Sequence, residues 1–147
     1  MRVETVRIQK FRSIDDATIR IEQVLALVGA NNSGKSHVLR AFNAFFNFSE
    51  EKVHFVSKAH QYNAKSRPRI TVTFYDIEPL DNIPDQYIYD SKLTLSLLYR
   101  WDRNTNSYEC VLGRERKTID VDSFGQLIGS FTFIYIPVIR DYLASFS

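Results

Sequence analysis

The run VLALV, Val24 to Val28, is apolar without interruption, and the eight residues after it are GANNSGKS. Next comes HVLRAFNAFF, in which Val38, Phe42 and Phe45 recur at helical spacing with Leu39 and Phe46 beside them. An unbroken apolar run of this length reads as a central strand covered on both faces. The stretch behind it reads as an amphipathic helix of about three turns. The glycine-bearing segment therefore joins the end of a buried strand to the start of a helix, the context in which a phosphate-binding loop works.

Gly29-x4-Gly34-Lys35-Ser36 fits that loop's pattern at every fixed position. Phosphates need several backbone N–H groups turned inward, and the two glycines let the loop curl around them. Asn31, Asn32 and Ser33 lie between the glycines and complete the cradle. Lys35 supplies a mobile positive charge for the outer phosphates, and the Ser36 hydroxyl is the candidate Mg²⁺ ligand. The helix that begins near Lys35 adds its positive dipole end. The implied ligand is ATP, with Mg²⁺ as the cofactor.

The rest of the chain is rich in strands. Arg2–Phe11 alternates, with Val6 and Ile8 against Arg7 and Gln9. RSIDD (12–16) reads as a turn, and ATIRI (17–21) as the second arm of a hairpin with Ala17, Ile19 and Ile21 on one side. Residues 49–68 are polar and poorly periodic, a loop with room for a short helix. Ile70, Val72 and Phe74 alternate with Thr71, Thr73 and Tyr75 in a third strand. Leu93, Leu95, Leu97, Tyr99 and Trp101 form a fourth, and SYECVL (107–112) returns beside it after a turn at DRNTN. Residues 114–130 read as loop and short helix. FTFIYI (131–136) reads as a buried strand stopped by Pro137, and VIRDYLASFS begins a helix. The expected fold is α/β: one unit over 1–147, in which 1–48 hold the hairpin, loop and helix, 49–130 an antiparallel meander, and 131–147 a core strand and helix start.

Composition excludes several classes. The abundance of Phe and Tyr indicates a packed core, and no apolar run reaches the eighteen or so residues of a membrane span. The single cysteine, Cys110, cannot form an internal disulfide and fits a reducing, cytoplasmic setting. The net charge of +2 is too small to argue for nucleic acid. Lys and Arg are nevertheless in excess up to residue 70 and Asp and Glu after it. That asymmetry is either surface scatter or a basic face for phosphates or DNA; for the second, Lys52, Lys58, Lys65, Arg67 and Arg69 are the candidates.

Efficient hydrolysis also needs an acid at the end of an apolar strand to organise Mg²⁺ and water. Asp76 follows an alternating strand of edge or half-buried type, and Asp90 lies in a proline-rich connector. Both read as solvated turn residues, so no catalytic residue is assigned. That gap, and an end inside an apparent helix, point to a fragment or to the first lobe of a split domain.

IQKFRSIDDATIRI followed by VLALVGANNSGKSHVLRAF resembles the N-terminus of ABC-class ATPases of the SMC/RecF type, and within them most of all the OLD (overcoming lysogenisation defect) family. FIYIPVIRDY (133–142) is similar to an OLD-type stretch as well. The resemblance implies that this is the N-terminal lobe of a P-loop ATPase head. The signature motif, the Walker B acid and, for OLD proteins, a Toprim DNA nuclease would lie downstream. It implies dimeric heads that sandwich ATP, a missing C-terminal half as partner, and DNA as the target of the whole protein. It also places Arg12 near the nucleotide and Arg140 beside a γ-phosphate switch, although the glutamine common at that switch is missing. Two rival expectations remain: an SMC/RecF-type repair head without a nuclease, and a nucleotide-gated interaction module without turnover.

Overall fold

The computed structural model describes residues 1–21, 33–129 and 131. Among them, six strands form one antiparallel sheet: β1 (Arg2–Phe11), β2 (Ile14–Arg20), β3 (Arg69–Tyr75), β4 (Leu93–Arg100), β5 (Thr105–Leu112) and β6 (Glu115–Ile119). Their order across the sheet is β2-β1-β3-β4-β5-β6. Three helices accompany it: α1 (Ser33–Phe46), α2 (Phe48–Val56) and α3 (Val121–Leu127). The mixed α/β class and the antiparallel meander expected from the sequence are both present.

Register follows the hydrophobic alternation. Val6 pairs with Val72, and Ile8 with Ile70, across β1 and β3; Ile70 pairs with Leu97, and Val72 with Leu95, across β3 and β4. Side chains two apart share a face, so these rows bury the same side of the sheet. The α1 residues Val38, Phe42 and Phe45 are buried in the same core, as their spacing predicts, together with Ala41 and Ala44. Phe45 meets Phe124 of α3 edge-on at 5.3 Å, and Phe124 stacks on Tyr108 at 3.6 Å. Phe55 of α2 meets Tyr99 at 4.6 Å. The three helices are thus fastened to the sheet through aromatic contacts, whose geometry adds to the area they bury.

The opposite face carries a polar ladder. Arg69 on β3 donates to Glu109 on β5 at 2.6 Å and to Ser96 on β4 at 3.0 Å, and Thr71 and Ser96 share a hydrogen bond.

Several expectations change. β2 begins at Ile14, so RSIDD is mostly strand, and the turn shrinks to Arg12 and Ser13. The fourth strand stops at Arg100, with Trp101 in a 3₁₀ turn. Residues 115–119, read as loop, form the edge strand β6, and α2, nine residues long, starts at Phe48 and runs into the segment read mainly as loop. Of the two readings offered for β3, edge or half-buried, the structure shows the half-buried one: it is paired on both sides and buried on one face. The strands expected at Val24–Val28 and Phe131–Ile136, and the helix start after Pro137, lie outside the described residues.

Candidate nucleotide-binding site

Of the phosphate-loop residues, Gly29, Asn31 and Asn32 lie outside the described residues, as do the side chains of Ser33 and Lys35. The backbone of Ser33, Gly34 and Lys35 is helical, because α1 starts at Ser33. Lys35 and Ser36 therefore sit in the first turn of a fourteen-residue helix, where the N–H groups point along the axis and the dipole attracts anions. Helices that need only internal stability tend to carry an acid there. This one has none.

The β1–β2 turn reaches the same end of α1. The Ser13 hydroxyl is hydrogen-bonded to His37 Nδ1, one residue beyond Ser36. Burial pushes the His37 imidazole below its usual range, and the Arg12 and Arg40 cations push it further. Two guanidinium groups therefore act on the start of α1, and the local field favours a bound anion. Arg12 is half-buried with φ 54°, and its backbone N–H donates to the carbonyl of His60 at 3.0 Å. The turn that carries Arg12 thus lies against His37, the residue after Ser36, and a helix start with cations around it suits phosphate oxygens.

A buried polar unit supports this end of the fold. Glu51 accepts from Asn43 Nδ2 at 2.8 Å and pairs with His60 Nε2 at 2.6 Å, and Arg40 lies 3.8 Å from the same carboxylate. Asn43, Glu51 and His60 are all nearly inaccessible. His60 packs against Phe11 at 4.7 Å and Phe55 at 5.0 Å. Burial acts to raise the Glu51 carboxyl, but the hydrogen bonds from His60 and Asn43 together outweigh it and hold it below its usual value. Burial likewise lowers His60, and the attraction of Glu51 only partly restores it. His60 is therefore neutral, with its Nε2–H donating to an ionised Glu51. Its Nδ1 is buried with no hydrogen-bond partner among the described residues, which suits a bare ring nitrogen and not a second N–H. Sequence reasoning missed this unit. Its members are eight and nine residues apart across two elements and a loop, and no periodicity links them.

The candidate acids lie elsewhere. Tyr75 pairs with Arg2, so Asp76 sits at the end of β1 and β3 opposite to Phe11 and Arg12. It is exposed and 3.8 Å from Arg2. Asp90 is an exposed residue in the turn closed by the Tyr89–Lys92 bridge. Arg140 lies outside the described residues.

A family model for the AAA ATPase domain matches residues 1–132, which spans the phosphate loop, the sheet and all three helices. The chain belongs to the AAA ATPase domain family. No curated protein matches it. Membership gives this domain a general ATPase function and the use of ATP, normally with Mg²⁺. None of the described helices is long and apolar enough to cross a membrane.

Proposed function

We propose that this AAA ATPase domain is the ATP-binding lobe of an ABC-class head, of the OLD type, with ATP held by Gly29, Asn31, Asn32, Ser33, Gly34, Lys35 and Ser36. The observation that carries the reading is the acid-free first turn of α1 under the cations of Arg12 and Arg40. When bound, Mg²⁺ neutralises phosphate charge and orients the outer phosphates. On this reading Ser36 holds it through the hydroxyl, Lys35 contacts the phosphates, and Arg12 completes the cationic rim.

The water-organising acid and the signature motif belong to the rest of the head, and the partner is a second head. For an OLD-type protein, DNA is the target of the whole molecule and a Toprim domain cuts it; an SMC/RecF-type head without a nuclease is the alternative. The cytoplasm is the proposed compartment, since Cys110 is a buried free thiol whose burial raises its pKa to about 11 and leaves it unreactive. The test is a titration of the chain with ATP in Mg²⁺ and in EDTA, followed by a turnover assay. Binding should weaken in EDTA, and the chain alone should turn over far below ~1 s⁻¹, the low end of ordinary enzymes. Turnover in that ordinary range, abolished by Asp76→Asn or Asp90→Asn, would put the catalytic acid within this chain and contradict the reading.

A further inference from the structure

The segment between α2 and β3 builds a second concave site. Lys58, Lys65, Ser66 and Arg67 line a cleft of about 400 Å³ together with Trp101 and Asp102. The five cations that the sequence offers for phosphates do not act as one set. Arg69 is engaged with Glu109 and Ser96 on the sheet, and Lys52 borders a different depression, against Phe48 and Tyr99. The other three converge here.

The site is shaped before any ligand arrives. Ser66 is buried; its hydroxyl donates to the Asn63 carbonyl at 2.8 Å and accepts from the Asn63 N–H at 2.9 Å, while the Lys65 N–H donates to Asn63 Oδ1 at 3.0 Å. This turn fixes the backbone from which Lys65 and Arg67 project. Lys58 has its ammonium 5.5 Å from the centre of the Trp101 ring, a cation–π contact that anchors it at the cleft wall. The indole N–H of Trp101 is buried with no partner among the described residues. Asp102 is the carboxylate of the lining. It is 3.7 Å from Arg67 and 3.8 Å from Arg103, with all three about half or more exposed. Such pairs are weak and readily exchanged for another anion. The lining therefore keeps an excess of positive charge.

We propose that this cleft binds the phosphodiester backbone of a single-stranded nucleic acid. Its volume suits a unit the size of one nucleotide. Its charge suits successive phosphates, and half-buried Trp101 offers the kind of aromatic surface on which an unpaired base stacks. A duplex exposes phosphates but no bare base face. The site stands on observations separate from the ATP loop, and it is joined to that loop's surroundings through the Arg12–His60 and Phe11–Gln61 contacts.

Trp101 is the chain's single tryptophan, so intrinsic fluorescence reports from inside the cleft. The full chain is titrated, without ATP, with a short oligodeoxythymidylate, with a duplex of equal length and with inorganic tripolyphosphate. Saturable quenching by the single strand is expected, with a log–log salt slope of about −2 for three neutralised phosphates. Lys65→Ala/Arg67→Ala, at two exposed positions, should weaken binding by on the order of tenfold and make the slope shallower by about 1.4, while Lys52→Ala leaves both unchanged. Unchanged circular dichroism and ATP binding in the double variant would separate loss of the cleft from loss of the fold. The absence of a fluorescence response, equal affinity of wild type and double variant, or duplex or tripolyphosphate binding as tightly as the single strand would each overturn the proposal.

Discussion

Arg12 occupies a left-handed backbone conformation at the two-residue turn between β1 and β2, with φ 54°. A residue with a Cβ adopts that region at a cost of about 1–2 kcal/mol, and glycine would fit the turn without strain. Retaining arginine there is accounted for by its side chain, whose charge acts on His37 at the start of α1. Arg12→Gly separates the two roles. Strain relief and the added freedom of the unfolded chain nearly offset each other, so the urea midpoint should correspond to a change within about 1 kcal/mol. Calorimetric ATP affinity should fall by about tenfold, in line with the loss of a charge-assisted hydrogen bond. Unchanged affinity would remove Arg12 from the site. The Glu51–His60 pair makes a prediction in pH. Both groups have folded pKa values below their unfolded ones, so the unfolded chain binds more protons and stability rises with pH across each gap. The His60 contribution is complete above about pH 6.5, its unfolded value, and is lost as pH falls towards its lower folded value. The Glu51 contribution is lost further down, from about pH 4.3. Arg12 and His54 act on His60 in the same direction as burial. Urea midpoints should therefore drop between pH 6.5 and 5, and His60→Gln, which cannot titrate, should make that limb shallower, leaving the share of His37, which is also lowered. A variant with the wild-type slope would show that the loss arises elsewhere.

At the scale of elements, the hairpin between β5 and β6 depends on Gly113, with φ 63°. A Cβ there would stand 3.0 Å from a ring carbon of Tyr89. Gly113→Ala combines that close approach with left-handed strain and should destabilise the chain by about 1–3 kcal/mol, read from the urea midpoint. No change would mean that Tyr89 swings aside and that the turn relaxes. The same hairpin shows where the sequence was hard to read. β3 and β4 were legible because one face of each packs on the core, so Ile70, Val72 and Phe74, and then Leu93, Leu95 and Leu97, alternate cleanly. β6 is an edge strand with its first four residues exposed; backbone pairing with β5 and the single buried Ile119 hold ERKTI in place, and no apolar alternation marks it. β2 is similar. Asp15 and Asp16 look like turn residues, but on an exposed edge they pair with Lys10 and Arg7 across the hairpin. In the candidate site, Ser36 and the helix start followed from the loop pattern, and Arg12 from resemblance. The Glu51–His60 unit did not, because its burial depends on a pairing that only the fold creates.

For the whole molecule, the β1–β2 turn lies against the start of α1 through the Ser13–His37 hydrogen bond and is tied to the segment containing His60 through the Arg12 N–H, while α1's apolar face anchors the sheet. A ligand on the first turn of α1 binds a structure already fixed by the core, with little reorganisation to oppose it. The central claim is that this turn, with the glycine loop before it, holds the phosphates of ATP through Lys35. The most direct measurement is calorimetric titration of Mg-ATP into the wild-type chain and into Lys35→Ala, with equal circular dichroism confirming equal folding. Removing the ammonium should weaken binding by about 1.5–3 kcal/mol, the range for a hydrogen bond to a charged group. Equal ATP affinity in the two proteins would contradict it.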